Sequence, residues 1–170
     1  SDYTKEEKNA KSSIYSSVLP VEYNDNKFNF IDTPGFFDFQ IEIKQALRAA
    51  RSAILVIDAS KGVEVGTVKH WNYLRKKGLP SVIFVNKMDQ IGTDREEIMS
   101  NLMEELGGGV VEFRNGKAVN LEDVAVLDEE MLRMYLEEGN VSDEMICRAI
   151  EKREVFPVSF GSALRMEGVE

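Results

Sequence analysis

The sequence predicts an α/β fold, a three-layer arrangement in which helices flank a sheet of mostly parallel strands. Two short apolar runs, Ser52-Ala-Ile-Leu-Val-Ile57 and Ser81-Val-Ile-Phe-Val85, have the length and β-branched content of strands buried on both faces. Amphipathic stretches with helical spacing lie between and around them. A third buried run, Val155-Phe-Pro-Val158, returns near the end. Strands alternating with helices give a parallel sheet covered on both sides.

Taken in order, residues 1–12 are polar, lack a period and read as a surface loop. Ile14–Tyr23 and Lys27–Ile31 read as two strands joined through Asn24-Asp25-Asn26, which has the chemistry of a hairpin turn. Pro34-Gly35 breaks the second strand. A helix is expected over about 39–51, with Ile43, Leu47 and Ala50 on one face, and the first buried run follows it. Thr67–Lys77 reads as a helix with Val68, Trp71 and Leu74 inward and Gly78 as its carboxyl cap. After the second buried run, Thr93 and Glu96 have the spacing of a capping box. The helix they open carries an apolar stripe of Ile98, Leu102, Met103 and Leu106, and Gly107-Gly108-Gly109 ends it. Residues 110–121 read as a small hairpin about Asn115-Gly116, followed by two short acidic helices at about 128–138 and 143–153. The stretch 107–154 thus reads as an insertion into the sheet.

The composition agrees with a globular chain. The sequence has 170 residues, 43% apolar and 30% charged. At that length folding buries roughly 70% of the unfolded surface, enough for a core without cross-links. The longest apolar runs fall far short of the ~20 residues a membrane span needs. One cysteine, Cys147, excludes an internal disulfide framework and favours a reducing, cytoplasmic setting. Residues 1–100 carry 14 basic and 14 acidic side chains; residues 101–170 carry 7 basic and 16 acidic, so the whole net charge of −9 lies there. That excess argues against sequence-specific DNA contact and suits a solvated face or a basic partner.

In an open parallel sheet, ligands bind beyond the carboxyl ends of the strands, and three unusual loops are expected there. Asp32-Thr33-Pro34-Gly35 offers a carboxylate for a metal's water and a glycine whose N–H can approach a phosphate, although Asp-x-x-Gly taken alone reads better as an ordinary strand-ending turn. Asn86-Lys87-Met88-Asp89 places a carboxylate where it can accept from two donors of guanine, a pair that adenine lacks. There Asn86 can hold the loop or reach the base, and the Lys87 stem can lie across the ring. Ser159-Phe160-Gly161-Ser162-Ala163-Leu164 supplies small residues beside a planar base, with the Ala163 N–H free to meet guanine's carbonyl oxygen. His70 reads as an ordinary helix residue, Cys147, mid-helix between Ile146 and Ala149, as a small hydrophobe, and Met131, Met134 and Met145 as packing.

Together the three loops, in this order, resemble the signature loops of translational GTPases, in particular the elongation factor G family and its elongation-factor-G-like second class. Ser1-Asp-Tyr-Thr-Lys-Glu-Glu7, Gly62-Val-Glu-Val-Gly-Thr67, Tyr135-Leu-Glu-Glu-Gly139 and Phe156-Pro157 extend the resemblance over most of the chain. It implies a P-loop-NTPase-like domain that binds GTP or GDP with Mg²⁺, a ribosomal partner (RNA and stalk proteins), no membrane role, and a parent protein much longer than this chain. It also implies roles. Asn86, Lys87, Asp89, Ser162, Ala163 and Leu164 would contact the base, and Asp32 and Gly35 the third phosphate. Ser13, with Asp32, would serve Mg²⁺, standing where the family has a metal-binding threonine. Phe36 stands where elongation factor G has the histidine that positions the attacking water.

The family's phosphate loop, Gly-x-x-x-x-Gly-Lys-[Ser/Thr], does not occur in the sequence. The expected fold is therefore incomplete, without that loop and its strand, and the chain by itself is expected to be inactive. The expected organisation is a nucleotide-binding core over 1–106, an inserted acidic subdomain over 107–154, and the last core strand with its base-contact loop over 155–170. A release-factor-3-like or ribosomal-protection GTPase shares these loops and stays open as an alternative. So does a non-hydrolysing nucleotide-dependent module, for which Phe36 is the argument.

Overall fold

The computed structural model describes residues 3–10, 12–35 and 39–169. They fall into two compact units, Ser1–Arg51 and Ser52–Glu170. The first unit contains a helix that the sequence reading missed, α1 (Lys5–Ala10), where a surface loop was expected. Its signal is present in the sequence: Thr4-Lys5-Glu6-Glu7 is a capping box. The Glu7 N–H donates to Thr4 Oγ1 (3.2 Å) and the Thr4 N–H to Glu7 Oε2 (3.0 Å). Strands β1 (Ser17–Tyr23) and β2 (Asn26–Asp32) form the expected antiparallel hairpin, with Ser17 opposite Asp32. Asn24 and Asp25 turn it with φ of 47° and 59°, a left-handed pair that these residue types tolerate. Helix α2 (Gln40–Ala49) closes the unit, and its Glu42 carboxylate accepts from the Ser16 N–H at 3.0 Å.

The second unit holds a five-stranded sheet in the order β3-β4-β7-β5-β6, formed by Ala53–Asp58, Ser81–Asn86, Phe156–Phe160, Val110–Arg114 and Lys117–Ala118. The first four strands pair parallel and β6 antiparallel, so the sheet is mostly parallel, as expected. It also reaches into the stretch expected to interrupt it. The hairpin at Asn115-Gly116 forms, with φ of 52° and 76°, but its first strand β5 lies beside β7 in the sheet.

Helices α3 (Val65–Lys77) and α4 (Arg95–Leu106) pack against each other and against β3 and β5. Trp71, 2% exposed, locks them: its Nε1–H donates to the Leu106 carbonyl at 2.8 Å and its ring meets Phe156 edge-on at 4.7 Å. Gly78 caps α3 at φ 67°, as its sequence predicts. Alternate residues of β5, Val111 and Phe113, join a second core with Val155 and the helices α5 (Leu121–Ala125), α6 (Glu129–Glu138) and α7 (Asp143–Lys152). Met131 is buried in it and Met145 packs against it, whereas Cys147 is exposed rather than buried among its neighbours. Among the described residues, no helix is long and apolar enough to cross a membrane.

Three local expectations are corrected. The helix after Thr93 is capped by Asp94, whose carboxylate accepts from the Glu96 and Glu97 N–H groups. Thr93 instead turns its hydroxyl toward the Met88 and Gln90 carbonyls. On the stripe of that helix Ile98, Leu102 and Leu106 are buried, but Met103 is 44% exposed. Strands β3 and β4 are not buried on both faces. Leu55, Ile57, Ile83 and Val85 are buried, while Ile54 and Val56, on the opposite face of β3, are 56% and 59% exposed.

Candidate functional site

The sheet order decides which loops meet. The chain runs from β4 past one position to β5 and returns to fill the gap with β7, so the carboxyl ends of β4 and β7 are neighbours. The loops leaving them are Asn86–Asp89 and Gly161–Leu164, two of the three expected from sequence. The backbone stitches them together: Gly161 N–H donates to the Val85 carbonyl (2.9 Å) and Met88 N–H to the Gly161 carbonyl (3.0 Å).

Asn86 is the brace between them. Its Oδ1 accepts from the Lys87 N–H at 2.8 Å and from the Ala163 N–H at 2.9 Å. Of the two roles open to Asn86, the structure displays the loop-holding one. The Ala163 N–H, expected to face a base, is engaged by Asn86 here. Lys87 adopts φ 66°, an uncommon conformation for a side-chain-bearing residue, and its Nζ is paired with Asp58 Oδ2 at 2.5 Å.

Asp89 is held ionised. The Ser162 hydroxyl beside it, then its own loop backbone and the Arg165 and Lys87 charges, push its carboxyl below the ordinary range. Arg165 Nε stands 3.7 Å from Asp89 Oδ2. Ser162 is fully buried, while Ala163 and Leu164 are exposed, Leu164 at 88%. A fixed, ionised double acceptor on an otherwise small-residue rim suits a planar ligand that presents two adjacent N–H donors.

Gly161 makes the rim possible. A Cβ there would collide with the Glu167 carbonyl oxygen and stand 3.0 Å from the Phe84 ring, because the chain folds back with Ser162 N–H donating to the Glu167 carbonyl (2.9 Å). Gly161→Ala should therefore destabilise the parent protein by about 1–3 kcal/mol, as overpacking does. It should also displace Ser162 from Asp89. Urea unfolding reads the first effect, and the backbone amide shifts of Ser162 and Asp89 read the second.

The first unit carries the remaining candidates. Asp32 ends β2, Pro34 is buried and Gly35 exposed, with open space around a Cβ at Gly35. Ser13 is half-buried and lies just upstream of Ser17, the residue opposite Asp32 in the hairpin. A hydroxyl and a carboxylate are the hard oxygen donors that Mg²⁺ takes. Among the described residues no three His, Cys, Asp or Glu side chains gather as a metal cage. Phe36 lies outside the described residues.

Glu7 was not anticipated from sequence. It is 2% exposed, and its carboxylate gathers both ends of the segment before β1. Oε2 accepts from the Tyr3 and Thr4 N–H groups and the Thr4 hydroxyl; Oε1 accepts from the Ile14 and Tyr15 N–H groups at 3.0 and 3.1 Å. These bonds hold its carboxyl at about 2, down from 4.5. A depressed pKa means that the folded loop favours the carboxylate. Its contribution is complete above about pH 4.5 and fades as pH falls toward 2. Amide exchange at Ile14 and Tyr15, corrected for intrinsic rates, should therefore quicken over that window and stay flat above it. Glu7→Gln, whose NH₂ would confront one pair of backbone donors, should quicken it at neutral pH.

With this geometry in place, comparison with known proteins is direct. The family described as the elongation factor Tu GTP binding domain matches residues 1–170. A crystallised protein from Thermus thermophilus superposes with a TM-score of 0.83 and 27% identity, over 99% of this chain and 32% of its own length. The chain thus spans about a third of that protein.

Proposed function

We propose, because the chain belongs to the elongation factor Tu GTP binding domain family, that its parent is a ribosome-associated, cytoplasmic translational GTPase of the elongation factor G type. The parent would couple GTP binding and hydrolysis to a step of translation. One observation carries the reading: Asn86 braces the loops that leave two adjacent parallel strands, and the carboxylate of Asp89, in the first loop, stands beside the buried Ser162 of the second. In this reading Asp89 accepts from guanine's ring N–H and exocyclic amine. Lys87 lies along the ring, and Asn86, Ser162, Ala163 and Leu164 shape the rim. Asp32 and Gly35 face the third phosphate, and Ser13 and Asp32 hold Mg²⁺. When bound, the ion neutralises charge on the phosphate oxygens. The residues 107–154, with α5, α6 and α7 and most of the acidic excess, serve as the surface for ribosomal stalk proteins.

The test uses the full-length parent. GTP turnover should be stimulated by ribosomes, and GDP should outcompete ADP for binding. Equal affinity for the two diphosphates would overturn the base assignment, and turnover indifferent to ribosomes would overturn the translational one. Phe36 favours a second reading, a nucleotide-dependent binding module that hydrolyses slowly. Single-turnover rates on ribosomes separate it from an efficient enzyme.

A further inference from the structure

Asp58 ends β3 directly beside Asn86 at the end of β4, its partner in the parallel register. Both oxygens of its carboxylate are engaged. Oδ1 accepts from the Ser60 N–H (3.0 Å) and the Ser60 hydroxyl (2.7 Å), and Oδ2 accepts from Lys87 Nζ (2.5 Å). Lys87 is thereby pinned at both ends, its N–H on Asn86 Oδ1 and its ammonium on Asp58, around a left-handed backbone at φ 66°. Backbone conformations of that kind persist where the surroundings over-determine them, and they gather at working sites.

The pair does little for stability. The Lys87 side chain is 49% exposed and that of Asp58 19%, and ion pairs so open to water add little to a fold. What the pair does fix is direction. A free lysine stem samples many rotamers, whereas this one is tethered by its ammonium to Asp58 at the end of β3. Ser60 in turn fixes the carboxylate that fixes the lysine.

We propose that Asp58, supported by Ser60, is a positioning residue for nucleotide recognition: it holds the Lys87 stem extended across the place where a purine base lies. The proposal rests on the base-site reading of Lys87 and Asp89, and it adds the side chain that makes Lys87 rigid before the base arrives. Pre-organisation of this sort raises affinity by removing an ordering cost.

The experiment is a double-mutant cycle in the full-length parent, read by displacement of a fluorescent GDP analogue and by thermal melting. Asp58→Asn should weaken GDP by about tenfold, the cost of ordering one lysine side chain on binding, and leave the melting temperature within a degree or two. Lys87→Met should weaken GDP as well. The double variant should be no weaker than Lys87→Met alone, because Asp58 acts through Lys87. Asp58→Glu, which keeps a carboxylate for the ammonium, should recover part of the loss. Wild-type GDP affinity in Asp58→Asn beside a weakened Lys87→Met would overturn the role of Asp58 and leave the base site standing. Additive losses in the cycle would overturn it too, by showing that Asp58 does not act through Lys87. If Lys87→Met and Asp89→Asn were both neutral, the base-site reading would fall and this proposal with it.

Discussion

In the Asp89→Asn parent protein, affinity for GDP should fall on the order of 10²-fold while affinity for xanthosine diphosphate should rise. The direction follows from donor and acceptor counting. A carboxylate offers two acceptors to guanine's adjacent N–H groups; an amide offers one acceptor and a donor, which leaves one guanine N–H facing another N–H. Xanthine carries a carbonyl where guanine carries its amine, so the amide's donor finds a partner there. The size of the effect follows from the environment. The Ser162 hydroxyl and the Arg165 charge favour the ionised form of Asp89, so it would meet a base as a pre-set acceptor. The substitution is nearly isosteric and leaves the Asn86 brace in place, so the fold should be unaffected. Competition between the two diphosphates, monitored by fluorescence, reads the ratio directly. An unchanged preference for guanine would remove Asp89 from the base site.

Phe36→His should raise ribosome-stimulated GTP hydrolysis by about 10²–10⁴-fold, the usual worth of a positioned acid–base or water-orienting group. Phosphoryl transfer asks little of the protein beyond placement and charge stabilisation, so a missing orienting group is costly. A phenyl ring neither donates nor accepts a hydrogen bond to water, whereas an imidazole does both. Gly35, directly before it, is exposed with open space around a Cβ. The chemical step is isolated by single-turnover hydrolysis on ribosomes, wild type beside variant, with GDP affinity as the control. A variant no faster than wild type would show that residue 36 does not limit turnover, and that another group orients the water.

Much of the second unit follows from local pattern. Trp71 and Leu74 are inward on α3 and Gly78 caps it, because helical spacing and a left-handed cap are short-range properties. The hairpin at Asn115-Gly116 forms because those two residues accept positive φ at small cost. Periodicity misled where burial depends on what lies opposite. Ile54 and Val56 read as buried on composition, yet they stand on the face of β3 opposite Leu55 and Ile57 and are exposed. Met103 shows the same failure on α4. Cap spacing misled in a different way. Thr93 and Glu96 match the capping-box spacing, but Asp94 lies one residue nearer the helix and takes its first amides. The real box, Thr4 with Glu7, passed unnoticed in a short polar segment.

What the sequence by itself determined is most of the succession of strands and helices, without the short helices α1 and α5, together with the turn chemistry and the loops in which Asp32, Asn86–Asp89 and Gly161–Leu164 stand. Each depends on residues a few positions apart. Only the tertiary structure decided partnership. Placing β7 between β4 and β5 brings Asn86 to the Ala163 N–H and Ser162 to Asp89, and the β3–β4 register brings Asp58 to Lys87. The reason is physical: a side chain's type sets which hydrogen bonds it can make, but the order of strands in the sheet sets which groups it meets.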